Sequence, residues 1–274
     1  MNDQEYCYLK RKVLTLTGID LDCYKNQQMS RCLESLVFSN SCSVIQYCEK
    51  LQDDGEVLRR LRDFLTINVS EFFQDTQQFV LLKDTLLPAL LEKNHKLNIW
   101  SAGCSQGAEP YSVAIILDEI SPGRSHRILA TDIDEGVMSR AKNGGPYSSN
   151  DVRNVAKLRL QKYFTESPTG YYVKDAIKNK VEFKHLNLLS DHFESGFDLI
   201  ICRNVIIYFT EKAKAKLIDN FYRSLKDTGA LFLGGSETLA VAPGRGLERL
   251  GGCFYQKESV NIRELAPARV PVRV

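Results

Sequence analysis

The chain has 274 residues, of which 43% are hydrophobic and 26% are charged. That length allows one large domain or two of roughly 150 residues each, and the composition excludes a disordered chain, a collagen and a disulfide miniprotein. Its 36 basic and 34 acidic residues give a net charge of +2, which predicts no strong attraction to nucleic acid or anionic lipid. The apolar runs are too short to cross a bilayer, and residues 1–10 contain no apolar signal segment. We therefore predict a cytoplasmic protein without membrane insertion.

The chain contains eight cysteines, five of them within the first 48 residues. No two form a CxxC pair, and the histidine spacings match no zinc signature. We therefore expect no metal site. The cysteines are expected to be free thiols, buried as small apolar side chains.

The amino-terminal part reads as an all-helical domain. Residues 5–67 show helical apolar spacing without strand-like alternation, and Ser41 is a possible cap for one of the helices. A further helix is expected over 76–92. We place the boundary of this helical domain and its linker at residue 75.

From residue 96 onward, strands alternate with helices. Strands are expected at 97–102, 127–132, 197–202, 230–235 and 253–257, with helices at 109–120, 134–142 and 211–225. This alternation predicts an α/β fold with a doubly wound, mostly parallel sheet over residues 76–257. A turn between aromatic and β-branched runs predicts a small β-hairpin insertion at about 163–186, and residues 258–274 are expected to be a mobile tail.

The segment 100–117 places a glycine-containing turn between a strand and a helix. Gly103 and Gly107 allow the backbone to approach a nucleotide-like cofactor at the carboxyl end of the first strand. Glu109 at the end of the turn argues against a pyrophosphate and for a cationic ligand group. The alternative is that the glycines only make a tight turn and that Glu109 only favours a helix start.

Polar residues also follow two other strands. Asp132 ends the second strand, where a carboxylate can accept both hydroxyls of a ribose, whereas Asp134 is expected to cap the next helix. Arg203 and Asn204 follow the apolar strand 197–202, although Arg203 could instead form a surface ion pair. These features fit either NAD or S-adenosylmethionine, but no second phosphate cradle for a dinucleotide is apparent.

Five segments together resemble one family: INVSEFF (67–73), SAGCSQGAEPYSVAI (101–115), ATDID (130–134), CRNVIIYF (202–209) and GGSET (234–238). They are similar to the chemotaxis receptor methyltransferases, the CheR family, over about residues 5–257. The resemblance implies a class I methyltransferase-like fold and transfer of a methyl group from S-adenosylmethionine to receptor glutamates. The products would be a methyl ester and S-adenosylhomocysteine, and the partner would be the cytoplasmic domain of a chemoreceptor.

The resemblance also implies roles for individual residues. Glu109 and Asp132 would hold the methionyl amino group and the ribose, and Tyr208 would lie beside the transferred methyl group. Gln74 stands near that methyl group where the family usually has arginine, and glutamine offers neither the charge nor the fork of arginine. The other cofactor contacts implied are Asn68, Ser70, Gln74, Gly103, Asn187, Leu188, Arg203 and Asn204.

Gln74 and a second helix with few basic residues leave an alternative function open, a cofactor-binding regulatory module with weak or no transfer. The hairpin region is shorter than in members that tether to a receptor peptide, so we do not expect tethering. Nothing in the sequence demands more than a monomer.

Overall fold

The computed structural model describes residues 1–40, 42–66, 70–237, 239 and 246–257, with the backbone alone at 26–28, 31 and 32. None of the helices in these ranges combines the length and the apolarity that crossing a bilayer requires. The predicted tail, 258–274, lies outside the described residues.

Four helices form the amino-terminal region: α1 (Asp3–Thr17), α2 (Asn26–Ser39), α3 (Val44–Asp53) and α4 (Gly55–Thr66). Asn2 caps α1 in a capping box with Glu5, and Ser43 caps α3 in the same way. The position expected for that cap, Ser41, lies outside the described residues. Apolar side chains of α1, α2, α3 and α4 form one buried cluster, which includes Leu9, Val13, Leu33, Tyr47 and Leu61.

The rest of the chain alternates helices and strands. The helices are α5 (Thr76–Leu81), α6 (Leu87–Lys93), α7 (Ala108–Ile120), α8 (Glu135–Asn143), α9 (Lys157–Tyr163), α10 (Asp175–Lys178) and α11 (Glu211–Ser224), with a π-helical turn, Leu82–Leu86, between α5 and α6. The strands are β1 (Asn98–Ala102), β2 (Arg127–Asp132), β3 (Phe164–Ser167), β4 (Gly170–Val173), β5 (Val181–His185), β6 (Phe197–Cys202), β7 (Leu225–Leu233), β8 (Leu247–Gly251) and β9 (Phe254–Lys257).

In the described part of the chain, seven strands form one sheet in the order β5-β2-β1-β6-β7-β9-β8. The pairings from β5 through to β7 are all parallel, and β9 runs antiparallel to both of its neighbours. This confirms the predicted α/β fold with a mostly parallel sheet, and the helical amino-terminal region accompanies it.

The central strands are buried on both faces because helices cover each side. Ile99 and Phe232 belong to the cluster that packs on α7, whereas Trp100 and Leu231 belong to the cluster that packs on α11. Neighbouring residues of a strand point to opposite faces, so a continuous apolar run is what a doubly covered strand requires. The order β2-β1-β6 brings three carboxyl strand ends side by side.

The expected hairpin insertion is shorter than 163–186. An antiparallel pair, β3 and β4, forms a separate two-stranded sheet, but β5 pairs in parallel with β2 in the large sheet. The division at residue 75 stays a prediction. The expectation of buried cysteines was wrong for Cys7, which is exposed at the amino-terminal helix, whereas Cys48, Cys104, Cys202 and Cys253 are buried.

Candidate active site

A pocket that is open to solvent lies at the carboxyl ends of β1, β2 and β6. Ligands of doubly wound sheets bind at this edge, because the loops that leave parallel strands converge there. The loop after β5, the linker before α5 and two parts of the helical region complete its walls. Every residue to which the family resemblance gave a site role, and which the structure describes, lines this pocket. Gly107, also expected to approach the cofactor, is not part of the wall, and a Cβ there would lie 2.9 Å from Cβ of Ala141. Asn68 lies outside the described residues.

The turn after β1 needs glycine at its first position. Gly103 has a φ of 81°, and a Cβ there would lie 2.5 Å from Cγ2 of Val205, which follows β6. The backbone N–H groups of Gly103 and Cys104 both donate to the carbonyl oxygen of Thr131, at 2.8 and 3.0 Å. The turn therefore fits closely between its two neighbouring strand ends.

Glu109 lies in the first turn of α7 and is buried at the pocket wall. Its Oε1 accepts a hydrogen bond from the Ser101 hydroxyl at 2.7 Å, and its Oε2 lies 3.6 Å from Nη1 of Arg203. Burial raises the pKa of Glu109, while Arg203 and the Ser101 hydrogen bond counter part of that rise. A buried carboxylate with one distant cationic partner would be stabilised by a cationic ligand group.

Arg203 is buried, so the alternative of a surface ion pair was wrong. Its Nη2 donates to the carbonyl oxygen of Gln74 at 3.0 Å and to Oδ2 of Asp75 at 2.5 Å. The guanidinium also lies between two aromatic rings, 5.3 Å from the centre of Phe79 and 4.9 Å from that of Phe232. Arg203 thereby fixes the linker beside the pocket.

Asp132 ends β2 with its carboxylate buried at the pocket. Its Oδ2 accepts from the N–H of Ser105 at 2.7 Å, and its Oδ1 accepts from the N–H of Asp134 at 3.0 Å. Burial raises the pKa of Asp132, and these backbone hydrogen bonds counter part of that rise. A carboxylate has about four lone-pair directions, so it can still accept from two ligand hydroxyls. Asp134 caps α8, as expected, by accepting from the N–H of Gly136 at 2.9 Å.

The loop after β5 carries Asn187 and Leu188, and both line the pocket. Asn187 Nδ2 donates to the carbonyl oxygen of Gly18 at 2.9 Å, and its Oδ1 accepts from the N–H of Leu189 at the same distance. The side chain of Asn187, one of the implied cofactor contacts, therefore also joins the helical region to the α/β region.

The loop after β6 carries Asn204 and Tyr208. Asn204 adopts a φ of 59°, and Tyr208 ends the 3-10 turn Ile206–Tyr208. Glu237, a residue to which the sequence assigned no role, holds this loop. Its Oε2 accepts from the N–H groups of Asn204 and Gly234, each at 2.8 Å, and its Oε1 accepts from that of Ile207 at 3.2 Å.

Tyr24 is a second residue that the sequence reasoning missed. It comes from the helical region, and its ring lies 5.1 Å from that of Phe209 at an interplanar angle of 86°. Its position in the pocket depends on residues far away in the chain, so no local pattern could indicate it. Glu237 had one signal, a carboxylate four residues after the end of the apolar strand β7.

The linker carries the remaining predicted residues. Ser70 and Gln74 line the pocket, and the Ser70 carbonyl oxygen accepts from Nε2 of Gln106 at 2.7 Å. Phe73 and Asp75 have φ angles of 53° and 59°. These two left-handed residues on either side of Gln74 turn the linker sharply next to the pocket.

These residues fit S-adenosylmethionine. Two buried carboxylates, Glu109 and Asp132, come from neighbouring strand ends, one suited to a cation and the other to a pair of hydroxyls. Among the residues that the structure describes, the hydroxyls of Tyr24 and Tyr208 line the same pocket without a hydrogen-bond partner in the protein. The pocket thus offers polar groups to a ligand that has a charged end and a ribose.

Residues 68–246 match the family described as "CheR methyltransferase, SAM binding domain". The chain is 35% identical over 257 residues to a chemotaxis protein methyltransferase of Listeria monocytogenes serovar 1/2a, across 93% of this chain and 98% of the relative. The chain belongs to the CheR methyltransferase family. Chemotaxis protein methyltransferase 1 of Pseudomonas aeruginosa is 36% identical to this CheR-family chain, across 82% of it and 87% of the relative.

A solved S-adenosylmethionine-dependent methyltransferase from Mesorhizobium loti is similar to part of this chain. Its TM-score is 0.32 at 18% identity, over 53% of this chain and 51% of that one. Membership of the CheR family confirms the resemblance carried by the five motifs. The protein is an S-adenosylmethionine-dependent methyltransferase of chemotaxis.

Proposed function

We propose that this methyltransferase forms methyl esters on glutamate side chains of the cytoplasmic helices of chemoreceptors. The observation that carries the proposal is the make-up of the pocket wall, which contains no histidine, lysine or cysteine among the described residues. An amine acceptor is protonated near neutral pH and must lose a proton first, whereas a glutamate carboxylate is already ionised. A pocket wall without a histidine, lysine or cysteine to remove that proton therefore fits a carboxylate acceptor.

The acidic side chains of the wall are engaged elsewhere. Glu71 forms an ion pair with Arg153 at 2.6 Å. Glu109 is bound to the Ser101 hydroxyl, and Asp132 accepts two backbone N–H groups. None of the three is therefore poised as a free base for the acceptor.

When bound, S-adenosylmethionine supplies a methyl group on a positively charged sulfur. We expect Glu109 to hold the amino group of the cofactor, because a buried carboxylate is stabilised by a cation. Asp132 would accept the two ribose hydroxyls. The adenine would lie beside Asn187 and Leu188. Asn204, with Arg203 beside it, would close the pocket near the methionyl part. Asn68 and Ser70 would reach the cofactor from the linker, and Gly103 would let the backbone approach it.

Tyr208 and Gln74 are the residues proposed to meet the acceptor. Each offers a hydrogen-bond donor, which orients a carboxylate without protonating it. Transfer then depends on holding the acceptor oxygen, the methyl carbon and the sulfur in line. In this proposal the side chains contribute position, and proton transfer plays no part.

The test is a transfer assay with purified protein, methyl-labelled S-adenosylmethionine and membranes that contain the chemoreceptors. Methyl esters release volatile methanol in alkali, whereas methylated amines do not, so base-labile volatile label is counted. We expect label that alkali releases, a large loss of it in Glu109→Gln, and wild-type label in Glu248→Gln, an exposed residue on β8. Cofactor binding without label on the receptor would contradict the proposal and favour a regulatory module.

We further propose that the protein acts in the cytoplasm, where the signalling helices of its receptor partners lie, and that it acts as a monomer. Light scattering of the purified protein at working concentration tests the second statement. A mass near the 31.1 kDa of one chain is expected, and a stable dimer would contradict it.

A further inference from the structure

One short segment of the helical region reaches the pocket and is fixed there. The 3-10 turn Leu21–Cys23 is followed by Tyr24, which pairs antiparallel with Phe209. The N–H of Lys25 donates to the Tyr208 carbonyl at 3.0 Å, and that of Thr210 donates to the Cys23 carbonyl at 2.8 Å. Tyr24 is thus held by two backbone hydrogen bonds and by the edge contact of its ring with Phe209.

The Tyr24 hydroxyl differs from those of the buried tyrosines around the sheet. Tyr111 donates to the Ala141 carbonyl and Tyr147 to the Gln106 carbonyl, both at 2.7 Å. Within the described residues, the Tyr24 hydroxyl has no such partner although the side chain lines the pocket. A tyrosine at a pocket wall presents an apolar ring and a polar tip, so the Tyr24 hydroxyl is available to a ligand that binds there.

The charges around the two pocket tyrosines indicate which end each one faces. Burial raises the pKa of Tyr24, and Cys23 and the Asp132 carboxylate raise it further. Burial also raises the pKa of Tyr208, but there the contributing carboxylate is that of Glu237. The hydrogen bonds place the two residues in the same way. Gly18, upstream of Tyr24, accepts from Nδ2 of Asn187 at 2.9 Å, and the neighbouring Leu186 N–H donates to the Asp132 carbonyl at 3.0 Å, so Tyr24 lies on the Asp132 side of the pocket. Tyr208 lies in the loop that Glu237 holds through the N–H of Ile207.

We propose that Tyr24 is a further cofactor-binding residue, whose hydroxyl hydrogen-bonds the adenosyl half of S-adenosylmethionine beside Asp132. The inference rests on the proposed position of the ribose at Asp132. Its consequence is that the helical region forms part of the cofactor site itself. Cofactor affinity then depends on how residues 21–25 dock against the loop after β6.

The test measures equilibrium binding by calorimetry, without catalysis. Two probes are used: S-adenosylhomocysteine, and 5′-methylthioadenosine, which lacks the amino-acid part. Tyr24→Phe keeps the ring contact and removes only the hydroxyl. A matched control is Tyr47→Phe, a buried tyrosine of the helical region that lies outside the pocket wall. Loss of one neutral hydrogen bond predicts a Kd about threefold to tenfold higher for both probes in Tyr24→Phe.

The control is expected to bind both probes with wild-type affinity, and a urea unfolding curve for each variant verifies that it is folded. A Kd for Tyr24→Phe within about twofold of the wild type would overturn the inference. A loss confined to S-adenosylhomocysteine would also overturn it, because the hydroxyl would then face the amino-acid part. Failure of the wild type to bind either probe would contradict the cofactor site as a whole, and this inference with it.

Discussion

Replacing Glu237 with glutamine tests how the loop carrying Asn204 and Tyr208 is held in place. Glu237 is 4% exposed, and its two oxygens accept from three backbone N–H groups. Glutamine has nearly the same shape but only one acceptor oxygen. Its NH₂ group would face an N–H donor where the carboxylate had accepted, whichever way the amide turns.

The magnitude follows from the geometry. With the amide oxygen at the Oε2 position, the bonds from Asn204 and Gly234 survive but change from a charged to a neutral acceptor. Each such change costs about 1 kcal/mol, and the unpaired N–H of Ile207 costs about 1–3 kcal/mol more. We therefore expect Glu237→Gln to lower the free energy of unfolding by about 3–5 kcal/mol and to weaken cofactor binding, because Asn204 and Tyr208 lose their fixed positions.

Urea unfolding and calorimetric titration with S-adenosylhomocysteine measure the two effects. The matched control is Glu248→Gln, which makes the same chemical change at an exposed position of β8. The control is expected to unfold within about 0.5 kcal/mol of the wild type. If Glu237→Gln matched this control in stability and in Kd, the carboxylate would not be what holds the loop.

Four further predictions concern the pocket. Gly103→Ala should lower the free energy of unfolding by about 3–4 kcal/mol, and Gly123→Ala by about 1–2 kcal/mol. Both glycines have positive φ, but only Gly103 faces a side chain 2.5 Å from the added Cβ. Equal losses in urea unfolding would contradict this. Burial raises the pKa of Glu109, and binding of the cofactor's cationic group requires the ionised carboxylate, so the affinity for the cofactor should fall as the pH is lowered through that pKa. In Glu109→Gln this pH dependence of the affinity should disappear. If calorimetry showed that it persists, the result would argue against Glu109 as the residue that binds the cation. Tyr208→Phe should slow transfer about tenfold or more while changing the Kd of S-adenosylhomocysteine less than about twofold, and equal losses in kcat and Kd would refute its proposed role. Gln74→Arg should lower the KM for receptor several-fold at unchanged cofactor Kd, since arginine offers a charged fork to the carboxylate; an unchanged KM would place the acceptor away from this position.

Five strands of the sheet could be predicted because each contains a short apolar run, whereas β8, with the sequence LERLG, has no such run and was not expected. The expected strands 127–132 and 197–202 coincide with β2 and β6. The hairpin insertion was overextended at its carboxyl end, since residues 181–185 read as strand but their partner could not be read from the sequence. Strand character is local, whereas β5 pairs with β2 across three intervening helices and the hairpin.

The core of the site was predictable for a related reason. Glu109, Asp132, Arg203 and Asn204 all follow parallel strands, and such strand ends meet at one edge of the sheet. What the sequence could not indicate was how Arg203 is used. Its burial between two rings and its bonds to the linker depend on α5 and β7, which come together only in the folded protein.

Tyr24 shows the limit of local reasoning most clearly. It lies between two helices of the amino-terminal region, where a tyrosine reads as an ordinary part of a helical core. Only its pairing with Phe209 brings it into the pocket, and that contact joins two distant parts of the chain. Functional residues supplied by one region to another therefore need the folded structure to be recognised.

The central claim is that the acceptor is a glutamate carboxylate, and one measurement tests it directly. Chemoreceptor membranes are incubated with the protein and S-adenosylmethionine carrying a trideuterated methyl group, and receptor peptides are sequenced by mass spectrometry before and after mild alkali. We predict the heavy methyl group on glutamate side chains of the signalling helices, and its loss after alkali. A heavy methyl group on lysine, arginine or a terminal amine that survives alkali would contradict the account.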